Sequence, residues 1–224
     1  MLRIEVTIMN TKSTCKILAV VGATFLLTTV GVFSTANANA QLNTAPNTSL
    51  ASPGYLIINQ AIVQTSGLNA ILRTNGVIPT DGSGGAFGYG IVTSAGLSAV
   101  IVSTTHQGVR DSVTQGSGAG PIWHNHFVRL AVITTGPCGS NPQVTAITFQ
   151  QPGRVLVSGN NAYLQGIPSS FRGTDALTGN PLTLSPGHNV QNVVSFVLAP
   201  IFSGGSLKAV CVEHITPAQH IIKS

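Results

Sequence analysis

From Gly54 to the C-terminus, no apolar run continues for long before Gly, Pro, Asn, Ser or Thr interrupts it. Short apolar segments bounded by turn residues read as strands, because helices need ten or more uninterrupted residues. Candidate strands are 55–63, 88–93, 97–106, 122–134, 143–149, 153–158, 162–166, 190–198 and 207–215. Residues 66–74 read as a short helix, and 81–85, 108–120, 135–141 and 179–187 as loops. No period of about 20–50 residues recurs, which excludes solenoids and propellers. The expected fold is all-β, a single-domain antiparallel β-sandwich or jelly-roll-like barrel over residues 54–224. Composition agrees: only 7% of the 224 residues are charged, while 25 are Gly and 12 are Pro. Coiled coils, long surface helices and charged disordered tails all need more Lys, Glu and Arg than this.

The first forty residues have the layout of an export signal. Arg3, Lys12 and Lys16 precede an uncharged apolar stretch, 17–33, and Ala38-Asn39-Ala40 is a small-x-small cleavage pattern before Gln41. The alternative is a retained signal anchor, since 17–33 lies at the short edge of a membrane span. No later segment is long and apolar enough to cross a bilayer as a helix. Residues 41–53 are small and polar without a period, and read as a flexible linker. They contain the glycosylation sequon Asn47-Thr48-Ser49. The expected location is therefore secreted or cell-surface.

Cleavage after Ala40 removes Arg3, Lys12, Lys16 and Glu5 from a chain of formal net charge +5, which leaves a small positive balance. The remaining cations are Arg73, Arg110, Arg129, Arg154, Arg172, Lys208 and Lys223. They are scattered, and a nucleic-acid face needs a cluster or stripe.

Cys15 falls in the signal, leaving Cys138 and Cys211 as a pair in an oxidising compartment, where a disulfide is the expected state. A second reading makes Cys211 a metal thiolate. Cys211-Val212-Glu213-His214 resembles the Cys-x-x-His spacing of blue-copper cupredoxins. That pattern continues to a Met, and the chain beyond residue 40 contains none.

The chain has six histidines. After cleavage its acids are only Asp81, Asp111, Asp175 and Glu213. Alternate residues of a strand share a face. In 122–134, His124 and His126 continue the apolar line of Val128, Leu130 and Val132. In 97–106, His106 ends the line of Val100 and Val102. Antiparallel pairing of these consecutive strands would bring His106 beside His124 and His126, and His214 repeats the arrangement on 207–215. Two imidazoles two apart on one strand, with a third from a neighbour, form a face suited to one Cu or Zn ion. His214 is a candidate fourth ligand. Backbone carbonyls, Thr104, Asp111 and Glu213 are candidate acceptors that would orient the rings. His188 and His220 read as loop and tail residues.

His-x-His on a strand is also similar to the cupins, as are Pro186-Gly187-His188 and Asn192, but the Glu that follows in cupins is missing from Phe127-Val128-Arg129-Leu130. Other chemistries lack their parts. Four scattered acids do not supply a carboxylate pair. No Gly-x-Ser-x-Gly elbow stands between a strand and a helix. Gly116-Ser117-Gly118-Ala119-Gly120 lacks the Lys of a phosphate loop.

The stretch Thr104-Thr105-His106-Gln107-Gly108-Val109-Arg110-Asp111-Ser112, followed by Pro121-Ile122-Trp123-His124-Asn125-His126-Phe127-Val128, resembles segments of uncharacterised secreted proteins of ammonia-oxidising archaea. The resemblance implies an extracytoplasmic, copper-rich setting and no particular activity. Three functions follow as expectations. The first is a secreted Cu- or Zn-binding protein using His106, His124 and His126. The second is a metal-free cell-surface module with a protein partner. The third is a metal-dependent extracytoplasmic enzyme.

Overall fold

The computed structural model describes residues 52–106 and 122–224. The export signal, most of the linker, Asn47, Arg110, Asp111 and the 116–120 glycine run lie outside the described residues.

Six strands close an antiparallel barrel in the order β11-β12-β6-β5-β4-β3. In chain order these are β3 (Phe87–Thr93), β4 (Val100–Thr105), β5 (His124–Val132), β6 (Pro142–Ile147), β11 (Val190–Ser203) and β12 (Ser206–Pro217). A second sheet has the order β13-β1-β2-β8-β7. It is built from β1 (Ile58–Gln64), β2 (Asn69–Thr74), β7 (Arg154–Ser158), β8 (Asn161–Gln165) and β13 (Ile221–Lys223). Its one parallel pair is β1 with β13. A ribbon of β9 (Phe171–Thr174) and β10 (Pro181–Leu184) completes the strands. The all-β expectation holds, as a closed barrel with a sheet packed on it. No helix among the described residues is long and apolar enough to cross a membrane.

Two apolar layers follow from strand alternation. Phe87, Tyr89, Ile91, Ile101, Phe127 and Val193 point outward from the barrel and share a core with Ala61, Val63, Leu72 and Leu164 of the second sheet. The opposite faces of the same barrel strands contribute Val100, Val102, Val128, Val194, Phe196 and Val212 to an interior cluster. This explains why β4 is buried at every position: it carries apolar contacts on both faces.

Within the 66–74 segment, Asn69–Thr74 form strand β2, paired with both β1 and β8. Its buried residues are Ala70, Leu72 and Thr74, a period of two. So short a helix gains too few hydrogen bonds to offset its nucleation cost, whereas two flanking strands satisfy the backbone fully. Strands β9, β10 and β13 are also absent from the sequence reading. Each has only three or four residues, too few to show a period.

Candidate metal centre

His124 and His126 occupy successive inward positions at the start of β5, and neither has exposed surface. Trp123, which precedes them, is held on the other side of the strand. Its ring stacks on Tyr89 at 5.6 Å and meets Phe87 edge-on at 5.3 Å, and its indole N–H donates to Pro79 O at 3.2 Å. Asn125 is fixed on the same outer side, accepting from Ser103 Oγ and donating to Pro152 O at 3.1 Å. With both odd neighbours anchored outward, the two imidazoles are driven into the barrel.

On β4, Thr104 pairs with His124 and Val102 with His126. His106, just beyond the end of β4, therefore lies diagonal to His124 and not directly opposite it. Its ring still reaches: the Nε2 atoms of His106 and His124 are 3.1 Å apart. Ring centroids are 4.8 Å apart for both His106–His124 and His124–His126, with the planes nearly perpendicular. One ligand nitrogen from each of the three histidines lies within 4.8 Å of the others, and all three residues are buried.

Backbone carbonyls set the ring orientations. His124 Nδ1 is 2.8 Å from Ile122 O, and His126 Nδ1 is 2.8 Å from Thr148 O. A carbonyl only accepts, so each Nδ1 donates, and in a neutral ring Nε2 is then the atom with the lone pair. This is the arrangement that metal-binding histidines use to fix tautomer and direction. Zn–N distances of about 2.0–2.1 Å at tetrahedral angles place ligand nitrogens about 3.3 Å apart. The His106–His124 separation is close to that, and the widest separation within the group is 4.8 Å. The donor set, three imidazoles without a thiolate, suits Zn²⁺ or Cu²⁺.

Thr148 is itself braced. Its backbone pairs with Asp175, its N–H donates to Phe127 O, and its hydroxyl accepts from Phe127 N–H at 3.1 Å. Asp175 is buried and accepts from the backbone N–H groups of Ile147 and Leu177 and from the Thr178 hydroxyl. The sequence reading missed this support. Asp175-Ala176-Leu177-Thr178-Gly179 does carry the Asx-turn signature, but not its contact with β6.

Of the expected acceptors, backbone carbonyls do meet the rings of His124 and His126. Thr104 Oγ1 donates to Phe87 O, and Glu213 accepts from Asn141 Nδ2. His214 does not join the three histidines. It is exposed and has a left-handed backbone, φ 49°. The β11–β12 register slips nearby: Val197 faces Glu213 and Ser195 faces Thr216, so β12 carries one extra residue there. Such a bulge re-aims side chains, and the alternation that pointed His214 inward is broken at that residue. His188 and His220 also stand outside the cluster. Cys138 and Cys211 form the disulfide, with Cα atoms 5.4 Å apart, which withdraws Cys211 as a thiolate ligand and with it the cupredoxin-like reading.

The barrel interior beside the histidines is not filled. A cavity of about 410 Å³ includes His106 and His126 in its wall, together with Val102, Val128, Leu130 and Phe196. Gly90 of β3 also lines it, where Val194, Phe196 and Val100 close over the position a Cβ would take.

No family model, curated protein or solved structure matches this chain. Three convergent imidazoles can hold one ion and leave coordination positions for a further ligand, which is the requirement for an open metal site.

Proposed function

We propose that the chain is an exported metal-binding protein that holds one Cu or Zn ion on His106, His124 and His126. The observation that carries this reading is the convergence of three buried imidazoles, two of them with Nδ1 committed to backbone carbonyls. Export is supported by the layout of residues 1–40 and by a disulfide of the kind that persists in oxidising compartments. The resemblance of residues 104–128 to secreted archaeal proteins favours copper.

Elemental analysis of the purified chain after Cu²⁺ or Zn²⁺ challenge and dialysis tests the proposal. One equivalent of metal is expected, with His124→Ala retaining the fold and losing the ion. A folded protein that binds neither metal would leave the histidines as a structural cluster, and the metal-free cell-surface module would then be the better reading.

A further inference from the structure

The cavity of about 410 Å³ inside the six-strand barrel has a described wall made mostly of hydrocarbon, from Val100, Val102, Val128, Val194, Phe196 and Val212. The polar side chains in that wall already have partners. The Thr104 hydroxyl donates to Phe87 O, His126 Nδ1 is committed to Thr148 O, and His106 Nε2 meets His124 Nε2. Backbone groups are spent as well, because β3, β4 and β5 each pair with a strand on both sides. Space of this kind forfeits the dispersion contact that its lining would make with a filling molecule. It rewards hydrocarbon and penalises any group that must leave its hydration behind.

We infer that the barrel interior is a binding site for one neutral, apolar small molecule, held by contact with the valine and phenylalanine wall. An apolar cavity of about 150 Å³ stays dry and takes up benzene, so this larger one has room for about two aromatic rings or an aliphatic chain of similar bulk. Its volume also falls in the range of about 300–1,000 Å³ typical of pockets that enclose small organic ligands. A route inward is built from the same kind of side chain. Leu97, Phe149, Leu177, Leu207 and Ile215 contribute to the cavity and are exposed, so the apolar lining continues from the interior to solvent. Exposed apolar residues rimming a cavity are a mark of ligand-binding surfaces. Closure of the barrel pairs its strands in a ring, which favours a small molecule over an added peptide strand inside it. Such a ligand needs no ion on the histidines and is held with or without one.

The test titrates the purified chain with N-phenyl-1-naphthylamine, a neutral fluorophore that brightens in apolar surroundings. Its anionic relative 8-anilino-1-naphthalenesulfonate, the same rings carrying a sulfonate, is the charged control. The neutral dye should bind with one equivalent per chain, and the sulfonate at least about tenfold more weakly, because its charge would have to be desolvated. Nuclear Overhauser contacts from the bound neutral dye should reach the methyl groups of Val102 and Val128. Val102→Trp, which fills the interior, should weaken the neutral dye at least about tenfold, and Leu130→Trp serves the same purpose if that variant does not fold. A folded chain that leaves the neutral dye unbound overturns the inference. So does equal affinity for the two dyes, or dye contacts confined to exposed Leu97, Leu207 and Ile215, either of which marks adsorption to the surface. Metal content, measured separately on the same preparation, decides the metal reading without bearing on any of these outcomes.

Discussion

At the residue scale, the histidine cluster depends on where each Nδ1 proton goes. Thr148 O fixes His126, and Asp175 fixes the chain around Thr148 by accepting from Ile147 N–H, Leu177 N–H and the Thr178 hydroxyl. Asp175→Ala leaves two part-buried backbone donors without their acceptor. It should cost about 2–3 kcal/mol by urea denaturation and weaken metal binding about tenfold through His126. Tyr89 makes a separate prediction. Burial, with a smaller contribution from Tyr55, holds its hydroxyl well above the ordinary value near 10. The folded protein therefore keeps this proton at pH values where the unfolded chain releases it. Stability should fall as pH rises above about 10, by up to about 1.4 kcal/mol per unit for this one group. Tyr89→Phe should flatten that alkaline slope in chemical denaturation, and should lose at neutral pH the hydrogen bond to Tyr55 O.

At the element scale, the barrel has an uneven seam. Its β11–β12 pair is registered over much of both strands, whereas β12 meets β6 at the single pair Cys211–Gln143. The disulfide from Cys211 to Cys138 lies on this seam and closes a loop of 73 residues. In the chain-entropy account a crosslink of that length adds about 4 kcal/mol. Reduction, or the Cys138→Ala/Cys211→Ala pair of substitutions, should lower stability by about that amount. Hydrogen exchange should quicken first in β6 and β12. The β3–β4 pairing is sensitive for a different reason. A Cβ at Gly88 would collide with Ser103 O and the Phe196 ring, so Gly88→Ala should cost several kcal/mol, about 2–4 on the scale of overpacked cores. An equilibrium unfolding curve measures it.

At the scale of the whole molecule, a barrel with an unfilled interior beside a buried histidine cluster forgoes some of the apolar contact that a packed core would supply. Ligand binding offsets that loss, because anything that binds only the folded state stabilises it. The melting temperature should therefore rise with free Cu²⁺ or Zn²⁺, corresponding to about 2.7 kcal/mol at a hundred times the dissociation constant. His124→Ala should melt at one temperature regardless of metal. Calorimetry of both proteins across a metal titration makes the comparison. The second sheet covers the outward residues Phe87, Tyr89, Ile91 and Phe127 of the barrel strands β3 and β5, and β5 carries His124 and His126.

Local alternation was sufficient to read the all-β class, the inward direction of His124 and His126, and the approach of His106 from the preceding strand. Each of these follows from a period-two pattern within one segment or between neighbours in the chain. The cysteine pair was legible for a simpler reason, because only two remain after residue 40. Other features belong to the tertiary structure alone. The bulge that turns His214 to solvent is a backbone slip between β11 and β12, and no residue type announces it. The acceptor on His126 comes from Thr148, and its brace from Asp175, through pairings between separate segments. The cavity exists because six strands close on one another around an interior that their side chains do not fill. A side chain's face is a local property of the chain, but register, closure and empty volume are set by which distant strands meet, and only the folded molecule specifies that.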